Sequence, residues 1–242
     1  MCVIKIMNAP NQPPLSDDTV VWRYMGFDKF IYLLANERLF FSRLTELSDK
    51  EEMMIPVFNE LRELEKGDGV PSDYAVMERQ CREMAKNVFV SCWTESDGES
   101  FAQWKIYGEA GVAVKSTVAD LKKSVRFQEA DVRRGLKVFI TKVNYDSKDD
   151  EIDFHTLVGR KRKPYAFENE VRLYFKSDVD VGSICCPSVG YGVQVDLNTL
   201  INSIFISPFA GKWMIQSVRR LLSKMRCEEL GKKVDGSDIR LS

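Results

Sequence analysis

Residues 165–175 read YAFENEVRLYF. Successive side chains of an extended chain point to opposite faces, and this stretch sorts by that rule. Phe167, Val171, Leu173 and Phe175 fall on one face, and Glu168, Glu170, Arg172 and Tyr174 on the other. The alternation predicts a β-strand with its apolar face on the core. Two carboxylates and a guanidinium on the opposite face suit either a solvated sheet surface or the floor of an active site.

The surrounding segments supply partners for such a strand. TVVWRYM (19–25), RLFFSRL (38–44), NVFVSCW (87–93) and GVAVK (111–115) read as strands, as do YGVQVD (191–196) and SIFISP (203–208). LKVFITKVNY (136–145) reads as the longest clear strand. Helical periodicity marks FDKFIYLLANE (27–37), with Phe30, Leu33 and Leu34 on the buried stripe, and KWMIQSVRRLLSKMRCEELG (212–231), stopped at Gly231. Further helices are expected over 49–66, 74–86 and SFAQWKIYG (100–108), and after a Ser116 cap; GDGVPSD (67–73) is expected as a loop. Repeats, low-complexity tracts and linkers are absent from the sequence. One α+β domain spanning 1–242 is the expectation, with 1–18 as a candidate flexible N-terminal segment.

Composition removes several function classes. The 242 residues are 44% hydrophobic, enough for a sizeable core. Lys plus Arg number 35 against 36 Asp plus Glu, a net charge of -1 that argues against coating nucleic acid by bulk electrostatics. No apolar run approaches the roughly 18 residues of a membrane span, and the start MCVIKIMNAPNQPP lacks signal-peptide features. A cytoplasmic protein with no membrane partner is expected. The six cysteines (Cys2, Cys81, Cys92, Cys185, Cys186 and Cys227) form no CxxC pair and are expected as reduced thiols.

The only histidine is His155. Histidine-rich zinc sites and paired-histidine mechanisms are therefore impossible. No GxSxG, GxGxxG or GxxxxGK[ST] motif occurs. His155 reads as structural, and catalysis, where present, falls to carboxylates.

Three candidate strands carry polar residues that apolar packing does not explain: Arg23 and Tyr24 in VVWRYM, Ser91 in VFVSCW, and Glu168 with Glu170 in FENEVRLYF. Their order resembles the Arg–Ser–Glu arrangement of ADP-ribosyltransferases. From about residue 19 onward the chain also resembles a bacterial family of domains of unknown function placed in that superfamily. The resemblance is carried by VVWRYM, RLFFSRLTELSDKEE, FVSCWTE with ESFAQWKIYGEAGVAV, RKPYAFENEVRLYF and SIFISP with its helix. Two departures stand out. Leu47-Ser48-Asp49-Lys50 replaces an Asn-Asp-Pro-like turn, and Ser91-Cys92-Trp93 replaces a Ser-Thr-Ser pattern.

The resemblance implies a core of two packed, mainly antiparallel sheets with surrounding helices, and NAD as co-substrate with no metal. It implies Glu170 as the catalytic carboxylate beneath the nicotinamide ribose, where charge develops as the glycosidic bond breaks. Glu168 would take the acceptor's proton. Either one of the two carboxylates holds its proton, or Arg172 keeps both ionised. Arg23 would meet the diphosphate or ribose, Ser91 would orient Glu170 or the ribose, and Tyr24 and Ser42 would line the pocket. Trp104 and Tyr107 would offer stacking surfaces, although their i, i+3 spacing suits core packing equally. The setting implied is a toxin, toxin–antitoxin or anti-phage effector with a possible antitoxin partner.

The basic stretches 126–137 and GRKRK (159–163) read either as solvated loops or as guides for an RNA or DNA acceptor; a protein acceptor stays open. Two alternatives stand beside transfer: a metal-dependent nuclease using the Asp/Glu clusters, and a non-catalytic transferase-like scaffold.

Overall fold

A computed structural model describes residues 1–10, 12–47, 72–145, 154–177 and 189–241. Twelve strands occur in it. In chain order they are β1 (Cys2–Val3), β2 (Ile6–Asn8), β3 (Val20–Gly26), β4 (Arg38–Arg43), β5 (Val88–Glu95) and β6 (Gly111–Thr117). They continue as β7 (Val125–Phe127), β8 (Val138–Lys142), β9 (Glu170–Lys176), β10 (Gly190–Val195), β11 (Ser203–Ile206) and β12 (Val234–Gly236). The fold is α+β.

The architecture turns on β5. One edge of β5 pairs with β9 from Val88 to Thr94. The other edge is shared: β4 pairs at Phe89 and Val90, and β3 pairs at Thr94 and Glu95. Ser91, Cys92 and Trp93 lie between these two pairings, where β3 and β4 diverge. The sheet therefore forks, one branch running β4–β10–β7–β1 and the other β3–β6–β11–β12, while β9 continues to β8 and β2. Instead of the two packed sheets implied by the resemblance, hydrogen bonding joins all twelve strands into one forked sheet. Nine pairings are antiparallel and two, β11–β12 and β2–β8, are parallel.

The branches curl so that one face of each lines the main core. That core takes Val21 and Met25 from β3, Leu39 and Phe41 from β4, Val171, Leu173 and Phe175 from β9, and Val193 from β10. Phe175 sits at its centre, its ring 5.3 Å from Phe41, 5.4 Å from Phe89 and 5.4 Å from Phe127. Such aromatic contacts stabilise beyond the burial of area alone. The opposite face carries two smaller clusters, one of Trp22, Tyr24, Trp104 and Ala113, the other including Leu44, Val88, Val90, Leu157 and Tyr174.

Helix Phe27–Asn36 buries Phe30, Leu33 and Leu34 as its periodicity predicts. Helix Ser72–Ala85 falls over the expected 74–86 segment. Other expectations are corrected. Residues 1–8, read as flexible, supply β1 and β2. The strand expected over 136–145 is confined to Val138–Lys142, and β5 is the longest described strand. The helix after β6 is capped by Thr117, whose side chain accepts from the Asp120 amide, rather than by Ser116. The C-terminal helix is two, Trp213–Lys224 and Glu228–Lys232, broken at Arg226 with its φ of 60°. The helix expected over 49–66 and the Cys185–Cys186 pair lie outside the described residues, and so does the loop expected at 67–73 as far as residue 71.

Gly111 pairs with Gly26 at the end of the β3–β6 ladder. A methyl group there would meet the Met25 carbonyl oxygen at 1.9 Å. Gly111→Ala is expected to destabilise the fold by about 2 kcal/mol, as overpacking typically does, read as a lower urea midpoint with an unchanged m-value.

Candidate functional site

β9 presents its residues as the alternation predicts, Val171, Leu173 and Phe175 to the main core and Glu170, Arg172 and Tyr174 to the other face. The strand starts late, however. Lys163–Glu168 is a 3₁₀ turn with Pro164 in its first positions, and Asn169 closes it in the left-handed region with φ 41°. Asparagine tolerates that conformation better than most residues, and its side chain donates to the Glu95 carbonyl at 2.6 Å. Glu168 thus reaches Glu170 around a turn, not along a strand. Phe167, expected inward, is 48% exposed.

Four charges meet on this face. The Arg172 guanidinium grips Glu170 with both ends of its fork, Nε to Oε1 at 2.9 Å and Nη2 to Oε2 at 3.1 Å, while Nη1 donates to the Val158 carbonyl at 2.7 Å. Lys161 Nζ donates to Glu168 Oε2 at 2.5 Å and reaches Glu170 Oε2 at 3.3 Å. The Tyr107 hydroxyl donates to Glu168 Oε1 at 2.7 Å, and the Glu170 amide donates to the Tyr145 hydroxyl at 2.9 Å. Glu168, Glu170, Lys161 and Arg172 are all buried. Two negative and two positive side chains balance, which is what makes their burial tolerable.

Burial alone would raise the Glu170 pKa. The Arg172 charge and hydrogen bonds, with help from Lys161 and the Cys92 thiol, outweigh it and hold Glu170 down at about 2. Of the two arrangements open in the sequence, Glu170 therefore adopts the ionised one, held by Arg172. Desolvation, reinforced by Glu168, raises the Tyr107 pKa, and desolvation also raises that of Tyr145, so both phenols stay protonated, Tyr107 donating to Glu168 and Tyr145 accepting from the Glu170 amide.

Arg23 and Ser91 stand elsewhere. Ser91 lies opposite Leu173 and Thr94 opposite Glu170 in the β5–β9 ladder. Cross-strand partners share a face, so Ser91 and Glu170 project from opposite faces of the sheet. Arg23 starts on the Ser91 face with Val21 and Met25, and its guanidinium closes the fork. It donates to Ser91 Oγ and, at 3.1 Å, to the Phe40 carbonyl, 5.8 Å from the Trp93 ring centroid. Ser91 Oγ also accepts from Trp93 Nε1 at 3.1 Å, and the residue is fully buried. Burial lowers the Arg23 pKa to about 10, which leaves it charged at neutral pH. The expected convergence of Arg23, Ser91 and Glu170 on one cleft is therefore not what the register gives. Cys92 lies on the Glu170 face, opposite Arg172, where its thiol helps to hold the Glu170 pKa down.

Tyr24 and Trp104 share the Glu170 face but belong to an apolar cluster, their rings 5.0 Å apart edge to face. Tyr24 accepts from the Ser100 amide at 2.8 Å, and Trp104 Nε1 donates to Glu99 at 2.7 Å. Trp104 is fully buried, so the stacking surface expected of it is core. Tyr107, in the π-helical turn Trp104–Gly108, remains 41% exposed. Ser42 is half-buried and level with Val90 and Tyr174, four residues along β9 from Glu170. His155 packs on Phe139 and Phe154, its Nδ1 2.8 Å from the Tyr174 hydroxyl.

Lys161 and Tyr145 were missed at the sequence level. Lys161 hides in a run that reads as solvated, and only the Asn144–Arg160 bridge beyond β8 fixes which member of GRKRK turns inward. A surface cavity of about 360 Å³, lined by Glu37, Asp196, Asn198, Arg226 and Glu229 among others, contains none of the candidate site residues. Among the described residues no helix is long and apolar enough to cross a membrane, and no group of three His, Cys, Asp or Glu side chains is placed to hold a metal. Comparison with protein-family models, with curated proteins and with solved structures finds no match.

Proposed function

We propose that this chain is an NAD-dependent mono-ADP-ribosyltransferase acting on a macromolecular acceptor, with Glu170 as its ribose-facing carboxylate. The observation that carries the reading is the setting of Glu170: held ionised in the Arg172 fork, yet buried beside Glu168 and Lys161. A fixed negative charge in a water-poor site stabilises the positive charge that develops at an anomeric carbon. The C1″–nicotinamide bond breaks with its electron pair leaving on nicotinamide, the acceptor's N–H or O–H attacks C1″, and Glu168 receives the proton.

Lys161 and Tyr107 stand over the two carboxylates, so a ribose reaches Glu170 as Lys161 yields its 3.3 Å contact. Arg23 and Ser91 enter this reading as residues that hold the sheet fork, not as ligand contacts. The cytoplasmic toxin or defence setting, and an antitoxin partner, belong to the same proposal.

One observation favours a second reading. The four charges pair with one another, as they would in a network that only fixes the fold of a non-catalytic scaffold. The nuclease reading is disfavoured by the same pairing, because Lys161 and Arg172 occupy the oxygens a metal would need.

The test is incubation with labelled NAD and RNA, DNA or cell lysate, using wild type and Glu170→Gln, each checked for folding by thermal melt. Label transfer that falls by roughly 100-fold or more in the folded variant supports transfer. Metal-dependent cleavage without NAD would support the nuclease, and folded protein inert in both assays the scaffold.

A further inference from the structure

The rim of the carboxylate cluster has a composition that the chemistry beneath it does not explain. Phe167 and Tyr107 are 48% and 41% exposed, and Ile106, beside Tyr107, is also exposed. Phe167 precedes Glu168 on the Lys163–Glu168 turn, and the Tyr107 hydroxyl donates to that carboxylate. Tyr165 lies on the same turn, with Lys161 Nζ 4.9 Å and the Arg162 guanidinium 5.5 Å from its ring centroid. Arg162 and Lys163 are exposed on the same turn. The GRKRK run thus divides: Lys161 is buried against the carboxylates, while Arg162 and Lys163 lie at the exposed surface.

Exposed aromatic rings interleaved with cations suit one kind of ligand. Bases of a single strand stack on Phe and Tyr faces without regard to sequence, and the backbone phosphates meet the neighbouring Arg and Lys. A duplex keeps its bases stacked on one another and cannot use such rings. An acidic protein segment would use the cations but gain little from the exposed rings.

We propose that the Tyr107–Phe167 rim, with Arg162 and Lys163, binds single-stranded nucleic acid and seats one unstacked base over Glu168. This deepens the transferase reading by naming its acceptor. It is tested without NAD, so that its failure is separate from failure of transfer.

The experiment is fluorescence anisotropy of the full chain with labelled 12-mers of uridine and thymidine, a duplex of equal length, and a polyglutamate peptide of matched charge, at 50 and 200 mM salt. Single strands are expected to bind more tightly than the duplex. Phe167→Ala is expected to weaken them about tenfold, within the range for loss of one stacked base. The double variant Arg162→Glu, Lys163→Glu is expected to weaken them further and to flatten the salt dependence by a slope of roughly 1.4. Circular dichroism and melting check that each variant keeps the fold, and the comparison is made on folded protein. Absence of binding at 50 mM salt, equal binding of duplex and single strand, or indifference to Phe167→Ala would overturn the proposal. Polyglutamate binding that matches the single strands and ignores Phe167→Ala would mark an acidic-protein docking face and overturn it too.

Discussion

Arg172→Leu is expected to lower folding stability by about 3–5 kcal/mol, the usual cost of stranding one partner of a buried ion pair. Arg172 is fully buried and supplies two hydrogen bonds to Glu170 and one to the Val158 carbonyl. Its removal takes the forked cation from Glu170 and a donor from the Val158 carbonyl. Urea denaturation reads the loss. The double variant Glu170→Gln, Arg172→Leu is expected to recover part of it, because the stranded charge goes with its partner. A single variant within about 0.5 kcal/mol of wild type, the range of ordinary surface substitutions, would show that the pair is open to water in solution.

The second large effect is on the acid side. Glu170 has its pKa depressed in the folded chain, from 4.5 to about 2. Its stabilisation is therefore fully present above pH 4.5 and is lost as pH falls from 4.5 to about 2. A shift of this size corresponds to about 3 kcal/mol. Stability measured by urea midpoint from pH 6 to 2 should fall through that window, and Glu170→Gln should flatten the fall while lowering the plateau. The tyrosines act with the opposite sign. Burial raises the Tyr24 pKa to about 12 and raises those of Tyr107 and Tyr145 as well. Their stabilisation is present below pH 10 and lost as pH rises past it. An acid limb that is unchanged in Glu170→Gln would contradict the placement of that carboxylate.

Much of the fold was legible because periodicity carries it. The alternation of Val171, Leu173 and Phe175 against Glu170 and Arg172 fixed both faces of β9, and the stripe of Phe30, Leu33 and Leu34 fixed the first helix. Glu168 was misread locally and still arrived beside Glu170. Pro164 ahead of it favours a tight turn, and Asn169 can take the left-handed conformation that ends one, so the signal for the turn was present.

What the sequence could not supply is register. Period two places Ser91 with Phe89 and Trp93, but only the pairing of Ser91 with Leu173 shows that this face is the one opposite Glu170. The order Arg, Ser, Glu along the chain therefore did not translate into one cleft. The fork at β5 has the same origin, since two strands sharing one edge leave no composition signature. Trp104 and Lys161 are complementary cases: an aromatic that is core, and a basic residue from a solvent-like run that is buried.

The most direct measurement of the central claim needs no acceptor: nicotinamide release from NAD at pH 7, compared between wild type and folded Glu170→Gln. Release by wild type that falls by roughly 100-fold or more in the variant is expected if Glu170 stabilises the departing ribose's charge. Equal release from both proteins, or none from the wild type, would contradict the catalytic role of Glu170.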